Sequence, residues 1–526
     1  MTRINTNVPS LTAQRVLGEN NLSLNVSLER LSTGLRINRG KDDPAGLIAS
    51  QNLRAEKAAI GAAIANSERA DQVVNIAEGG LQEISGLLNE LQSLVTQTAN
   101  EAGLSIEEKQ ANQLQIDSII QTIDRVAGAT SFQGLKLLNG NLDYVTTNVS
   151  GNIEAFKVNG AKLKHDDTLD VQVLVTGSAQ VGGFYLSFGA ANLNLGGSGP
   201  SDGISERFVI ELAGSKGSRE LSFASGTSIA SIVDAINSFS EVTGVRAVAS
   251  GAGGVSIQTV GFGSAEFVTV RVVDDGNINA GIAAAGVYKF QAANTAAAST
   301  VPADRTLFSS ANNKTTDAGQ DISATINGIL ATTEGTIARI NTDFLDVEVD
   351  LKTGTGSGAE AQRLGAVNAF TINGGGADFQ LAARVDIGGK VSIGVGDVAV
   401  RNLGRSRILE GSTYINYFLS DLGAGRGLNV VDGNRTGAQE VVAQAIKEVT
   451  SLRGRLGAFQ KNTIGSTIRS LGISLENTTA AESLIRDSDF ANETSGLTRS
   501  QVLVSSSTQI LTIANTSPQA ALQLLG

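Results

Sequence analysis

The stretch LGENNLSLNVSLERLSTGL, residues 17–35, carries the decisive pattern of the chain. Leu24, Leu28, Leu31 and Leu35 step by four, three and four, and the same seam carried backwards reaches Asn21 and Leu17. That spacing sets the side chains along one narrow stripe, so residues 10–35 are expected to form a heptad helix with Asn21 as a polar seam residue. So narrow a stripe requires a partner helix.

Outward from that stretch, turn residues fill Asn38 to Gly46. Val73, Ala77, Leu81, Ile84, Leu88, Leu91 and Val95 then recur at three or four, predicting one very long amphipathic helix. Ser105 and Glu108 have capping-box spacing, and Ile116, Ile120, Ile123 and Ala127 form the stripe of a third helix. At the far end Ile464, Ile468, Leu471 and Leu475 repeat the four-three-four step, and Leu497, Val504 and Leu511 recur at sevens. Heptads at both extremities are most simply buried against each other, within one molecule or between neighbours. The alternative is burial in an ordinary globular core, because periods of ~3.5 and 3.6 separate poorly over a few turns.

Residues 145–410 differ in character. Val171, Val173 and Val175 alternate, as do Phe208, Ile210 and Leu212, Val255 and Ile257, and Leu345, Val347, Val349 and Leu351. Alternation of this kind marks half-buried strands. Asn327-Gly328 and Asn373-Gly374 are expected to make hairpin turns, and Ile229, Ile232, Val233 and Ile236 mark one short helix. The fold class is therefore α+β multidomain: long helical coiled-coil ends around a central β-rich insertion of about two domains.

Composition removes several functions. Lys and Arg number 40 against 51 Asp and Glu, a net charge of -11 with no basic run, so neither nucleic acid nor an anionic membrane is an expected partner. With no Cys there is no disulfide, thiolate metal site or thiol nucleophile. The one histidine, His165, excludes a two-histidine zinc motif and reads as a solvated loop residue beside Asp166 and Asp167. No G-x-S-x-G elbow, phosphate loop or calcium loop occurs, and Asp274-Asp275-Gly276 reads as a turn. Catalytic, cofactor and metal sites are all expected to be absent. No stretch approaches the ~18 apolar residues of a membrane span. MTRINTNVPSL, the first residues, lack an apolar h-region, so export is expected without a cleaved signal peptide.

Read as motifs, the N-terminal part carries INTN (Ile4 to Asn7), LERLSTGLRIN (Leu28 to Asn38), KDDPAGL (Lys41 to Leu47), IDRVAG (Ile123 to Gly128) and F-x-G-x-x-L-L (Phe132 to Leu138). The C-terminal part carries RGRLGAFQ (Arg453 to Gln460), DSDFANET (Asp487 to Thr494) and ANTSPQAALQLL (Ala514 to Leu525). Together they closely resemble bacterial flagellin. Phe208 to Ala249, with DAIN and GVRA, resembles a small ββαβ repeat of flagellins and hook-associated proteins.

The resemblance implies a structural, non-enzymatic subunit that polymerises into the flagellar filament for swimming. It implies an inner coiled-coil domain from residues 1–40 and 487–526, a helical core domain from 41–144 and 411–486, and outer β domains from 145–410. The polymerisation seam would comprise Leu17, Asn21, Leu24, Leu28, Leu31, Leu35, Leu497, Val504 and Leu511. Implied partners are other copies of the chain, the filament cap, hook-junction proteins and an export chaperone on the C-terminal helix. Export would run through the flagellar type III apparatus to an extracellular filament. Positions equivalent to those read by an innate immune receptor fall at Glu90, Leu94 and Gln115, where the family pattern has Arg, Leu and Glu. Two alternatives stand beside this reading: a hook-filament junction protein, and a filament subunit whose outer domains also act as an adhesin.

Overall fold

The computed structural model describes residues 6–523 apart from 101–102, 165–166, 196–206, 252, 279–284, 292–293, 357–360 and 411–412. His165 and its neighbour Asp166 lie outside the described residues. The helices are α1 (Val8–Thr33), α2 (Pro44–Thr98), α3 (Ile106–Ala129), α4 (Ile229–Asn237), α5 (Arg435–Ala458), α6 (Gly465–Arg486) and α7 (Phe490–Gln523), with shorter helical turns elsewhere. No described helix is long and apolar enough to cross a membrane.

Two compact units form: Met1–Leu81 with Phe379–Val391 and Thr450–Gly526, and Gln82–Asp378 with Ser392–Val449. The border between them falls inside α2, after Leu81.

In the first unit, Asn7 caps α1 by accepting the Ser10 N–H at 3.1 Å, and Gly34 ends it at φ +71 by donating to the Arg30 carbonyl. Asp43 caps α2 through the Gly46 N–H at 2.8 Å, with Pro44 at the first helical position. The early part of α2 buries Ile60, Ala63, Ala70, Val74, Ala77 and Leu81. Val74 takes the core position expected for Val73, which is half-buried. Polar cross-links tie this stretch to the C-terminal part: Arg453 to Glu78 at 2.7 Å, Gln460 to Asp71 and Asn75 at 2.9 Å, and Arg54 and Lys57 to Glu482. A π-helical segment, Phe459–Ile464, joins α5 to α6 and turns Phe459 toward Phe379 at 6.0 Å.

In the second unit, α3 starts on a capping box. The Glu108 N–H donates to Ser105 Oγ at 3.2 Å, and the Ser105 N–H donates back to Glu108 Oε2 at 2.8 Å. α3 buries Ile116, Ile119, Ile123 and Ala127, with Ile119 in the place expected for Ile120. The buried Gln113 amide stitches α3 to the loop before α5, donating to the Leu422 carbonyl at 2.8 Å and accepting the Val430 N–H at 2.9 Å.

Two β domains, each with its own core, occupy the middle of this unit. The first is a sandwich. Its five-stranded sheet comprises Tyr144–Thr147, Leu169–Gly177, Ser323–Ile326, Ile329–Leu330 and Gly365–Gly375, and its four-stranded sheet Ile153–Ala161, Thr332–Glu334, Ile337–Asn341 and Leu345–Leu351. Alternation puts Val171, Val173 and Val175 opposite Leu345, Val347, Val349 and Leu351, and Phe156 stacks on Phe370 at 4.3 Å. The second domain is inserted between Gly177 and Ser323. It centres on Phe188, Phe208 and Phe308, with ring centroids 5.1–5.4 Å apart, under α4.

A narrow neck joins the two domains. Gln180 and Gln320 exchange backbone hydrogen bonds across it at 2.8 and 3.0 Å. The Asp321 carboxylate bolts it, accepting the N–H and hydroxyl of Ser264 from one side and the Gly335 N–H, at 2.7 Å, from the other. Burial pushes the Asp321 carboxyl up, but these three donors outweigh it and hold the group below the usual carboxylate range. Gly263 sits at φ +112 against Gly335, where any Cβ would meet backbone within 2.7 Å.

Asn327-Gly328 makes the expected hairpin turn, with both φ positive at 48° and 80°. Asn373-Gly374 does not. It lies within the strand Gly365–Gly375 at a register shift against Tyr144–Thr147, so Gly374 serves a β-bulge, and the chain turns at Gly376. Strands run across both borders of the 145–410 segment. Residue 144 begins the strand Tyr144–Thr147, and residue 410 ends one arm of the hairpin Ser406–Glu410/Thr413–Tyr417.

Candidate functional site: the paired terminal helices

α1 and α7 pack antiparallel along their lengths. Asn7 donates to the Ala514 carbonyl at 2.7 Å, Ser10 Oγ to Asn515 Oδ1 at 2.7 Å and Asn20 Nδ2 to Ser507 Oγ at 2.7 Å, and Arg30 pairs with Glu493 at 3.3 Å. Ala13, Ser27, Ser500, Ser507 and Ala514 are buried between the helices, and Leu17, Leu24, Leu31, Leu497, Val504 and Leu511 are half-buried. Beyond the ends of this pair the backbone is tied by Arg36 N–H to the Arg486 carbonyl at 2.7 Å and Ser488 N–H to the Gly34 carbonyl at 2.9 Å. In the same loop, the Arg39 and Asn38 N–H groups hold the Asp42 carboxyl below its usual range, Arg39 foremost, against a smaller desolvation.

Three of the expected seam residues lie outside the intramolecular contact of α1 with α7. Asn21 is exposed, and its neighbour Asn20 enters the seam instead. Leu28 is 47% exposed, with the buried Ser27 in its place. Leu35 lies past the helix end, in an isolated bridge to Asp487. The physical reason is close approach: a second row of leucines would hold the axes apart, so the second heptad row is small. Ala13, Asn20 and Ser27 in α1 and its capping Gly34 recur at sevens, as do Ser500, Ser507 and Ala514 in α7, and this periodicity was readable in the sequence.

Large apolar residues outside the seam face outward. Leu22 and Ile513 are each 67% exposed, and Leu11, Val502 and Ile510 are exposed as well. A shallow groove lined by Val8, Pro9, Thr12, Ala13, Val16 and Ile510 runs between the helices. So many large aliphatic side chains on one slender helix pair form a surface awaiting cover.

The family model described as the bacterial flagellin N-terminal helical region matches residues 4–143, and that of the C-terminal helical region matches residues 439–525. A third, the flagellin hook IN motif, matches residues 207–261. The chain belongs to the bacterial flagellins. It is 29% identical to the flagellin of Salmonella typhimurium and 27% identical to the B-type flagellin of Pseudomonas aeruginosa, covering 99% of both chains in each case. The flagellar cap protein FliD from Escherichia coli (D1-D2-D3 domains) is 11% identical, covering 61% of this chain and 92% of that one with a TM-score of 0.26. Relatives over the full length make this flagellin a structural subunit of the flagellar filament.

The hook IN match coincides with strands Arg207–Gly214 and Ser218–Ala224, α4, and strands Val245–Ala249 and Gly254–Thr259. Val245–Ala249 pairs with Gly254–Thr259 in the facing sheet, so the ββαβ unit spans both layers of its domain. Of the receptor-equivalent positions, Glu90 and Gln115 are exposed, whereas Leu94 is only 7% exposed and packs inward. The apolar contact expected there is not offered at the subunit surface. Leu114, 70% exposed on α3, is.

Proposed function

We propose that the outward apolar faces of α1 and α7 are the polymerisation surface of this flagellin, and that the seam residues Leu17, Leu24, Leu31, Leu497, Val504 and Leu511 hold the pair in the form that polymerises. The observation that carries the reading is the separation of side chains: a buried row of small and polar residues and one half-buried aliphatic row close the intramolecular seam, while Leu11, Leu22, Val502, Ile510 and Ile513 are left outside it. Covering them between copies recovers about 1.5–3 kcal/mol for each fully buried side chain.

Membership in the flagellins supports the remaining parts of the reading. These are an extracellular, non-enzymatic filament, export through the flagellar type III apparatus with a chaperone on α7, and contact with cap and hook-junction proteins. Inner and core domains would be built from the two ends as the five-part division states, with the outer limits moved to whole strands. Exchange of Arg for Glu90 and of Glu for Gln115, with Leu94 buried, supports weak recognition by the innate receptor.

Leu22→Asp with Ile513→Asp tests the polymerisation surface. Both sites are exposed in the subunit, so its circular dichroism should not change, while assembly seen by sedimentation and electron microscopy should be lost. Filaments at normal yield would refute the reading.

A further inference from the structure

The five-stranded sheet of the first β domain turns its other face to solvent. Registers place Leu330 opposite Thr325, Thr325 opposite Leu174 and Leu174 opposite Ala366, so four strands contribute one continuous row. Leu330 is 79% exposed and Leu174 41% exposed, and Leu364, just before the strand Gly365–Gly375, adds a third exposed leucine. Leucine is not a side chain the solvent face of a strand calls for. Two of these leucines flank Thr325 in one cross-strand row and the third lies two residues before Ala366 in that row, a grouping unlike the singly scattered apolar residues of an ordinary surface.

Charge and size together indicate what covers it. Each copy carries a net charge of -11 and repels its like. On the outward positions of strands Leu169–Gly177, Ser323–Ile326 and Gly365–Gly375 the single ionisable side chain is Asp170, which accepts the Thr371 hydroxyl at 2.7 Å. The face is therefore one on which two acidic copies can meet without opposed charges. Three leucines fall far below the ~800 Å² per partner that a specific complex buries, so the row cannot hold a partner drawn from free solution. It can hold a partner already tethered, because linking two modules raises their effective concentration to the millimolar range.

Resting on the filament reading, we infer that the Leu174–Leu330–Leu364 row is a lateral contact with the outer β domain of another copy, made only after the terminal helices have polymerised. The same arithmetic keeps the unassembled subunit monomeric.

A photo-cross-linking residue at Thr325, between Leu174 and Leu330, tests this in the full chain. Irradiation should give covalent dimers in filaments and none in dilute monomer. In the Leu174→Glu, Leu330→Glu background the filament cross-link should fall at least several-fold, and the filaments should dissociate several degrees lower. Leu174→Thr with Leu330→Thr, which retains strand-favouring side chains, should do the same if the glutamates disturb folding. Filaments without a cross-link at Thr325, or with cross-linking and dissociation temperature unchanged in both double variants, overturn the inference. Failure of the unmodified chain to polymerise would be a different result, bringing down the filament reading and this contact together.

Discussion

Replacing Asn20 by Ala tests the register of the α1–α7 seam. The Asn20 side chain donates to Ser507 Oγ at 2.7 Å, and Ser507 is 5% exposed, so the alanine variant leaves a buried hydroxyl without that donor. A net hydrogen bond is worth about 1 kcal/mol, and an abandoned buried polar group costs about 1–3 kcal/mol. The Asn20→Ala cost should therefore be about 1–3 kcal/mol. Ser507→Ala alone should cost less, because it leaves only the half-buried Asn20 amide, which can turn to water. The double variant should cost less than the sum, with a coupling of about 1 kcal/mol. Asn21→Ala, one residue away and exposed, should stay within about 0.5 kcal/mol of the parent. Thermal dissociation of filaments followed by circular dichroism, with subunit concentration held fixed, reads all four. If Asn21→Ala costs as much as Asn20→Ala, or the coupling is zero, the assignment of Asn20 to the seam is wrong.

Three further outcomes are expected. Asp321→Ala should loosen the neck between the β domains, raising hydrogen exchange at Gly335 and Ser264; the parent should keep the bolt at neutral pH and lose it only as pH falls through the depressed carboxyl value, and unchanged exchange would refute the bolt. Burial raises the Asp350 carboxyl above its ordinary value, opposed by the Thr336 hydroxyl at 2.6 Å, so its ionisation costs stability as pH rises. Asp350→Asn should raise the urea midpoint at pH 7 and leave it unchanged near pH 3, and equal midpoints at both would count against it. Excising residues 144–375 through a short glycine bridge joins Asp143 to Gly376, whose backbones already meet at 3.1 Å, and should leave a polymerising subunit; secretion without filaments would show that the β domains are needed for assembly.

The helices and strands were legible where one period dominates. Val171, Val173 and Val175, and Leu345 to Leu351, alternate because each strand has one wet and one dry face, and the sandwich core follows directly. The seam was legible to half its depth. Leu17, Leu24 and Leu31 announce a heptad, but the companion row consists of small residues that a search for apolar side chains passes over, and Leu28 lies one position from the buried Ser27. The same blindness displaced Val74 to Val73 and Ile119 to Ile120, since a one-residue slip rotates a helical stripe by only ~100° and a broad stripe tolerates it. Asn373-Gly374 has the composition of a turn, but pairing with Tyr144–Thr147 keeps it in a strand and converts the glycine into a bulge. No local pattern could have shown the neck, because Asp321, Ser264 and Gly335 meet only through tertiary structure.

A helical reconstruction of the assembled filament is the most direct test of polymerisation through the terminal helices. Leu11, Leu22, Leu28, Ile510 and Ile513, all exposed in the subunit, should be buried against α1 and α7 of neighbouring copies, with Asn20 still on Ser507 inside each pair. Filaments in which those five side chains remain in contact with water, held together by other surfaces, would contradict it.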